Sequence, residues 1–410
     1  MKYFNKQLFL KILISLLITL LIFYLSLSQV YWTSFWSFLN IPAYIPFSDF
    51  KALNIFLEYK ENGFDPYQKN PNSHPIHSVL IYPSVWLHIF DFLNLKNELY
   101  LKISILFVLF IYFYVLIDFV YRINNKLFKY FFIIFFFSTS NFLLIERLNI
   151  EIIVFCLVYF ALINKYFFIQ LIFYTLSLVL KIFPIFSIFI FIKKKRNFLI
   201  VLILSIAYIL IMRNEIVLIK ENVIEYALIF AYGVLSISKA IYFYSIKFNF
   251  FINDNNYFIF KNLMILAVSS IATIIVLSNF RFNVKKKIEQ ISNEEKMFLS
   301  GAGVYIGTFL TSANIDYRLI FLLLTLPYIL NTERNTLKVI YLICISICFN
   351  SLIFEGGDSY SLSYFIKASI VYLLKFIILF INCVFFGEVC NRFINININF
   401  IKNKKIILIF

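Results

Sequence analysis

Residues 8–28, LFLKILISLLITLLIFYLSLS, decide the fold because their length and composition predict a helix that crosses a membrane. A hydrocarbon core of about 30 Å requires roughly 20 apolar residues in one α-helix. The run follows Lys2 and Lys6, is too long for the apolar part of a signal peptide and lacks a small-residue cleavage site. We therefore expect a first transmembrane helix rather than a removed signal peptide.

The composition of the whole chain extends this prediction. Of its 410 residues, 62% are hydrophobic and 14% are charged, and the mean hydropathy is +0.87. A soluble domain of this composition would expose a far larger apolar surface than such domains tolerate. The formal net charge of +16 does not indicate nucleic acid as a partner, since the lysines and arginines lie in short gaps between apolar runs. The lipid bilayer is the expected partner.

The apolar runs predict an all-α fold, a polytopic bundle of about 12 transmembrane helices in a single domain covering residues 1–410. The predicted spans are 8–28, 99–120, 128–145, 148–163, 166–181, 183–192, 197–212, 260–279, 297–311, 318–330, 337–354 and 364–387. The segment 29–98 is expected to be a first non-cytoplasmic loop with interfacial helices. The second long segment, 213–259, is either a non-cytoplasmic loop with interfacial helices or a helix pair that dips into the bilayer.

The charges segregate between alternate gaps, as the positive-inside rule requires. With a cytoplasmic N-terminus, basic clusters such as 193–196 and 285–287 fall on the cytoplasmic side, and the C-terminus is cytoplasmic too. The opposite side collects the acidic residues Asp49, Asp65, Glu146, Glu151, Asp316, Glu355 and Asp358. We expect a multi-pass protein of the plasma (inner) membrane whose functional residues lie on the non-cytoplasmic face.

The metal-ligating residue types form no convincing cluster in the sequence. The five cysteines contain no CxxC motif, and Pro75 separates His74 from His77 in what reads as a loop. We therefore expect no metal site and no cofactor.

Two segments of the first loop carry candidate site residues. Asp49 is either the N-cap of an interfacial helix, a role that Ser48 would also serve, or a carboxylate that acts as a base at the membrane surface. Asn62-Gly63-Phe64-Asp65-Pro66-Tyr67 predicts a turn and precedes Tyr82-Pro83-Ser84 by 15 residues.

Three later segments place charges at the ends of predicted spans. Glu146-Arg147-Leu148-Asn149-Ile150-Glu151 is either the boundary between two helices or part of a functional site. Lys181-Ile182-Phe183-Pro184 breaks a helix directly after a lysine and opens a span of only ten residues. Arg318 either pairs with Asp316 or binds a phosphate group with its planar guanidinium. Because these residues are expected at one depth on one side, they predict a single cleft for an anionic lipid substrate and a proton transfer.

These segments resemble the GT-C membrane glycosyltransferases, and among them glycosyltransferase family 87, which includes polyprenyl-phosphate-mannose-dependent mannosyltransferases. The first-loop Asp49 matches, Gly63-Phe64-Asp65-Pro66-Tyr67 resembles G-x-[ND]-P-Y, and Tyr82-Pro83-Ser84 resembles Y-P-P. Glu146 to Glu151 resembles E-R-G-N-x-[DE], Lys181 to Pro184 resembles K-x-x-P, and Asn314 to Leu319 resembles N-x-x-Y-R-L. Leu148 replaces the family's glycine and Ser84 its second proline.

The resemblance implies an inverting transferase that moves a hexose, mannose-like, from a polyprenyl-phosphate donor to a lipid or glycan acceptor of the cell envelope. It implies that Asp49 is the catalytic base and that the donor phosphate is bound first by Lys181, then by Arg318 and Arg147. The sugar or acceptor would be bound or oriented by Asp65, Tyr67, Tyr82, Glu146, Asn149, Glu151 and Asp316.

Two other functions remain open from the sequence. A polymerase or ligase for lipid-linked oligosaccharides would have a similar composition, but its largest outer loop is expected late in the chain. A flippase of polyprenyl-linked sugars is expected to place charges at the bilayer midplane on several helices, which Lys181 and Glu151 fit weakly, and to show repeat symmetry, which the sequence lacks.

Overall fold

The computed structural model describes residues 2–39, 41, 43, 45–68, 79–123, 125–222, 229–247, 254–279, 291–354 and 361–403. Within these ranges the all-α prediction is confirmed, since the regular structure is helical apart from two strands of two residues each. His74, His77, Glu355 and Asp358 lie outside the described residues.

The α-helices are numbered in chain order. They are α1 Lys2–Ser26, α2 Gln29–Phe38, α3 Ser48–Glu61, α4 Val85–Phe92, α5 Glu98–Arg122, α6 Lys126–Phe136, α7 Thr139–Arg147, α8 Glu151–Ile163, α9 Phe167–Leu180, α10 Lys195–Ile211, α11 Arg213–Asn222, α12 Val234–Lys247, α13 Asp254–Ser278, α14 Asn293–Thr311, α15 Leu326–Asn331, α16 Asn335–Phe349 and α17 Leu362–Asn403. The 3₁₀ helices are Phe183–Phe191, Asp316–Thr325 and Ser351–Phe354, and the strands are β1 Ala231–Tyr232 and β2 Asn314–Ile315.

Four of these helices are long and apolar enough to cross a membrane. They contain the segments Lys6–Ser26, Glu98–Arg122, Asn256–Ser278 and Ser363–Asn391. The number rises to six if two bent pairs, α6 with α7 (54°) and α10 with α11 (69°), each form one span. An α-helical membrane protein is thereby supported, whereas the full set of about 12 spans stays a prediction.

One short predicted span is a 3₁₀ helix, and another begins as a 3₁₀ helix and continues as an α-helix. The predicted span 183–192 corresponds to the 3₁₀ helix Phe183–Phe191, and 318–330 corresponds to Asp316–Thr325 followed by α15. A 3₁₀ helix rises about 2 Å per residue against 1.5 Å in an α-helix, so such segments cover more depth with fewer residues.

The chain forms two compact units, of which the first comprises Met1–Pro184 and Leu204–Ile224. In its core, Phe119 of α5 packs edge-on against Phe128 of α6 and Tyr159 of α8. The buried Asp118 carboxylate accepts hydrogen bonds from Tyr159 (2.6 Å) and from Lys11 of α1 (2.7 Å). These contacts join α1, α5 and α8 to one another.

The helices expected in 29–98 are present as α2, α3 and α4. Ser28 caps α2, and α2 buries Trp32 and Trp36. The Trp86 indole of α4 donates a hydrogen bond to the Leu180 carbonyl at the end of α9 (2.9 Å). This contact holds the segment 82–92 against the residue that precedes Lys181.

The second unit comprises Ile185–Ile203 and Glu225–Phe410. Its central helix α14 begins at a capping box formed by Ser292 and Glu295, which satisfies two N–H groups at the helix start. A Cβ atom at Gly307 would collide with the Phe186 ring, so glycine is required there for the 3₁₀ helix to pack closely. Strands β1 and β2 pair antiparallel, with Ala231 opposite Ile315.

The segment 213–259 contains α11, β1, α12 and the start of α13. Helices α11 and α12 have 10 and 14 residues, lengths compatible with interfacial helices and with a helix pair that dips into the bilayer. Residues 223–228 and 248–253 lie outside the described ranges, so the path of the segment across a membrane stays a prediction.

Candidate active site

The turn between α7 and α8 contains the Glu146–Glu151 sequence. Leu148 adopts a left-handed conformation (φ 45°) and ends α7, with its N–H bonded to the Ile145 carbonyl (3.0 Å). The next residue, Asn149, accepts the Glu151 N–H with its side-chain oxygen (3.0 Å) as α8 begins. This bond fixes the amide so that its nitrogen points away from α8.

The start of α3 places Asp49 opposite that amide nitrogen. Asn149 Nδ2 donates a hydrogen bond to Asp49 Oδ2 at 2.5 Å. The N-cap of α3 is Phe47, and Asp49 lies inside the first helical turn. The interpretation of Asp49 as an N-cap is therefore wrong, because the helix starts two residues earlier than that role requires.

Two strained backbone positions flank this contact. Phe47 (φ 60°) lies two residues before Asp49, and Leu148 (φ 45°) lies one residue before Asn149. The two strained turns are joined, since the Phe47 N–H donates to the Glu146 carbonyl (2.9 Å). Left-handed conformations are costly for residues with a branched or bulky side chain and concentrate at functional sites. Their position points to Asp49 and Asn149 as the centre of the site.

Tyr82 connects this centre to Lys181. Its hydroxyl lies 3.3 Å from Asn149 Nδ2, and its ring centre lies 4.8 Å from the Lys181 ammonium. The ammonium also forms an ion pair with Glu151 Oε1 at 3.0 Å. Asp49 and Lys181, 132 positions apart in the numbering of the chain, thus belong to one cluster through Asn149, Tyr82 and Glu151.

Lys181 reaches this cluster because α9 stops directly before it. Its backbone is extended (φ −160°, ψ 141°), and the 3₁₀ helix begins two residues later at Phe183. The predicted helix break at Lys181-Ile182-Phe183-Pro184 is therefore confirmed. The Lys181 side chain is 14% exposed, while the Glu151 side chain is fully buried.

Glu146 and Arg147 are the last two residues of α7, directly before Leu148. Glu146 is buried, and its Oε2 lies 3.9 Å from the Arg147 Nε. The Glu146 backbone carbonyl accepts the Phe47 N–H (2.9 Å), two residues before Asp49. Both cations of the cluster, Arg147 and Lys181, thus have a glutamate partner.

Asp65 and Tyr67 shape the turn predicted at 62–67. Asp65 is exposed and accepts the Tyr67 N–H (2.9 Å) and the Gln68 side chain (3.1 Å), so its oxygens stabilise the turn itself. The Tyr67 hydroxyl lies 2.9 Å from the Tyr82 carbonyl and 2.6 Å from Glu215 Oε1 of α11. Burial, reinforced by the Glu215 carboxylate, raises the pKa of Tyr67 well above 10, so the phenol remains a hydrogen-bond donor.

Asp316 and Arg318 belong to the second unit. The Asp316 carboxylate is fully buried and lies 2.9 Å from the Lys375 ammonium of α17. The Ser351 hydroxyl also donates to it. Arg318 is half-buried, and its guanidinium contacts the Asn314 side chain. The printed ion-pair partner of Asp316 is therefore Lys375, a lysine distant in sequence, which the local sequence around Asp316 does not indicate.

Among the described residues, no group of three or more histidine, cysteine or acidic side chains is arranged to hold a metal ion. The five cysteines, all within those residues, are unpaired thiols.

Sequence reasoning missed several residues of the Asp49–Lys181 cluster and of the Asp316–Lys375 pair. A lysine inside the predicted span 364–387 is a signal that Lys375 needs a buried partner, but nothing identifies that partner as Asp316. Glu215 carries no local signal, because it lies 148 positions from Tyr67 and 131 from Ser84. The left-handed backbone at Leu148 could have been anticipated, since the resembling motif has glycine there.

Comparison with known proteins does not extend this description. No protein-family model, no curated protein and no solved structure matches the chain.

Proposed function

We propose that the chain is an inverting membrane glycosyltransferase that moves a hexose from a polyprenyl-phosphate donor to a hydroxyl of a lipid or glycan acceptor. The reaction would take place on the non-cytoplasmic face, in line with the segregation of charges along the sequence. The resemblance to GT-C enzymes of family 87 suggests mannose as the sugar.

The observation that carries the proposal is the environment of Asp49. Its carboxylate is half-buried, is oriented by Asn149 at 2.5 Å and has no ion-pair partner among the described residues. Arg147 and Lys181 are instead matched with Glu146 and Glu151. A general base needs this combination, since a positioned carboxylate without a neutralising cation remains available to accept a proton.

In the proposed reaction, Asp49 removes the proton from the acceptor hydroxyl as its oxygen attacks the anomeric carbon. The bond between that carbon and the phosphate oxygen breaks, and polyprenyl phosphate leaves with the electron pair. Attack from the face opposite the leaving group inverts the anomeric configuration.

Lys181 and Arg147 are the proposed stabilisers of the charge that grows on the leaving phosphate. Both side chains retain exposure, 14% and 29% respectively, although each has a carboxylate partner. A phosphate would therefore share these cations with Glu151 and Glu146. Arg318 lies in the second unit, and its proposed binding of the donor phosphate is supported by the resemblance alone.

The roles proposed for the other residues follow their contacts. Asn149 and Tyr82 orient Asp49 and Lys181, whereas Glu146 and Glu151 hold the two cations. Asp65 and Tyr67 would contribute by shaping the loop over the sugar, and Asp316 by fixing the segment that carries Arg318.

The test is incubation of the purified protein with a panel of polyprenyl-phosphate sugars and a lipid-linked acceptor, measuring release of polyprenyl phosphate. Asp49→Asn should slow release by about 10²–10⁴-fold, the usual contribution of a general base, with unchanged yield of folded protein. Asp91→Asn is the matched control, since Asp91 is an exposed acid of α4.

Full activity of Asp49→Asn would refute the assignment of the base. Absence of release from every donor, together with movement of labelled polyprenyl-linked sugar across vesicle membranes, would replace the transferase by a flippase.

A further inference from the structure

Helix α11 is attached to the first unit in an unusual way. It follows α10 after a bend of 69°, and none of its residues is buried. Apolar packing, which normally fixes a helix on its neighbours, is therefore a minor contribution here. Hydrogen bonds from polar side chains of α11 must supply much of the attachment.

Those bonds converge on the two turns of the segment 62–84. Glu215 Oε1 accepts the Tyr67 hydroxyl at 2.6 Å and the Ser84 backbone N–H at 2.5 Å. At the other end of the helix, Asn222 Nδ2 donates to the Tyr67 carbonyl at 2.8 Å. Bonds to a charged acceptor are stronger than those between neutral groups.

The same turns hold Tyr82 in place. The Tyr67 hydroxyl lies 2.9 Å from the Tyr82 carbonyl, and Ser84 is two residues beyond Tyr82. The Tyr82 side chain contacts both Asn149, which orients Asp49, and Lys181. A continuous path of contacts thus runs from Glu215 to the candidate base.

We propose that Glu215 is a positioning residue, whose carboxylate ties the 62–67 turn to the 82–84 turn and thereby sets where Tyr82 lies against Asn149 and Lys181. Its effect on sugar transfer rests on the proposed function. Its effect on the Ser84 backbone does not, because that contact exists whether or not the protein is a transferase.

The experiment compares Glu215→Ala and Glu215→Gln with Glu221→Ala, a matched control on the same helix whose side chain is exposed. The first measurement is amide hydrogen exchange of the peptide that contains Ser84, in the full-length protein in detergent. Exchange at Ser84 should be about tenfold faster in Glu215→Ala, since the acceptor of its N–H is lost. Glu215→Gln keeps an acceptor oxygen and should lie between wild type and Glu215→Ala.

The second measurement is the transfer rate with a polyprenyl-phosphate sugar. Glu215→Ala should lower kcat/KM by about tenfold, Glu215→Gln should recover most of it, and Glu221→Ala should match wild type. The unfolding temperatures of both variants are measured as well. Recovery of kcat/KM by Glu215→Gln at the wild-type unfolding temperature is a result that a general loss of stability would not produce.

Equal Ser84 exchange in Glu215→Ala and Glu221→Ala would overturn the proposed contact. Normal transfer by Glu215→Ala, in a preparation where Asp49→Asn is inactive, would overturn the positioning role while leaving the transferase intact. Wild-type protein that transfers no sugar would overturn the proposed function and this catalytic role with it, even with altered exchange.

Discussion

Lys375 with Asp316 in the second unit and Lys181 with Glu151 in the first unit are both pairs of a lysine and a buried carboxylate, but they differ in the exposure of the lysine side chain. Lys375 and Asp316 in the second unit are both fully buried, and the ammonium also donates to the carbonyls of Ile229 (2.6 Å) and Ala231 (2.8 Å). In the first unit Lys181 pairs with buried Glu151, yet its own side chain remains 14% exposed and lies against the Tyr82 ring.

Full burial of both partners identifies Lys375–Asp316 as a structural pair, whereas the exposed part of Lys181 leaves room for the phosphate proposed above. The Lys375 ammonium has three hydrogens and at least three oxygen acceptors in the protein, so it is fully occupied and joins α17 to β1 and to the residue that follows β2. A charge in this state cannot also bind a phosphate without breaking the fold around it. An exposed edge at Lys181 allows a ligand to approach.

Backbone strain is distributed in the same way. Among the described residues, the non-glycine positions with positive φ are Phe47, Asn94 and Leu148, all in the first unit, and two of them flank the Asp49–Asn149 contact. In the second unit the positive φ falls on Gly233, where it carries no steric penalty. Strain and partial exposure thus coincide at the candidate site.

The largest expected effect is on the buried pair. Lys375→Met should destabilise the protein by about 3–5 kcal/mol, because it leaves the Asp316 charge buried without its cation. The measurement is the thermal unfolding midpoint in one detergent. Lys367→Met, a half-buried lysine of the same helix, is the matched control.

Lys375→Met/Asp316→Leu should recover much of that loss, since an apolar pair can replace a buried ion pair when both charges are removed. If Lys375→Met were no less stable than Lys367→Met, the Lys375–Asp316 pair would not stabilise the fold. Its contrast with the Lys181–Glu151 pair would then fail.

Lys181→Met should affect sugar transfer more than stability, in contrast to Lys375→Met, whose main effect should be on stability. Its loss of stability should be smaller, about 1–3 kcal/mol, because water can enter from the exposed side and solvate Glu151. Sugar transfer should fall by about 10²–10³-fold if Lys181 stabilises the leaving phosphate. The measurements are the unfolding midpoint and the dependence of the transfer rate on donor concentration. Unchanged donor kinetics would remove Lys181 from the phosphate site and make the two pairs equivalent.

The sequence predicted the parts of this arrangement that depend on local signals. Lysine before Ile-Phe-Pro indicated the end of α9, and the charged Glu146–Glu151 segment indicated the turn between α7 and α8. It could not predict which distant residues meet: Lys375 pairs with Asp316 across 59 positions, and Glu215 reaches Ser84 across 131. Such pairings depend on tertiary packing, and local periodicity and capping rules carry no information about contacts between distant residues. The Asp49 N-cap interpretation was wrong for the same reason, because the Phe47 N–H bonds to Glu146, nearly 100 residues away.

The smallest expected effect tests the strain at Leu148. Ala is normally preferred to Gly in folded proteins because Gly loses more backbone entropy on folding. At φ 45° the order should reverse, since a left-handed conformation costs a residue with a Cβ about 1–2 kcal/mol. Leu148→Gly and Leu148→Ala both lose the buried leucine side chain, so their difference isolates the backbone. We expect Leu148→Gly to be the more stable by about 1 kcal/mol, as measured by chemical unfolding in detergent. A more stable Leu148→Ala would mean that the turn is not strained, and the link between strain and the Asp49 site would then have to rest on Phe47 alone.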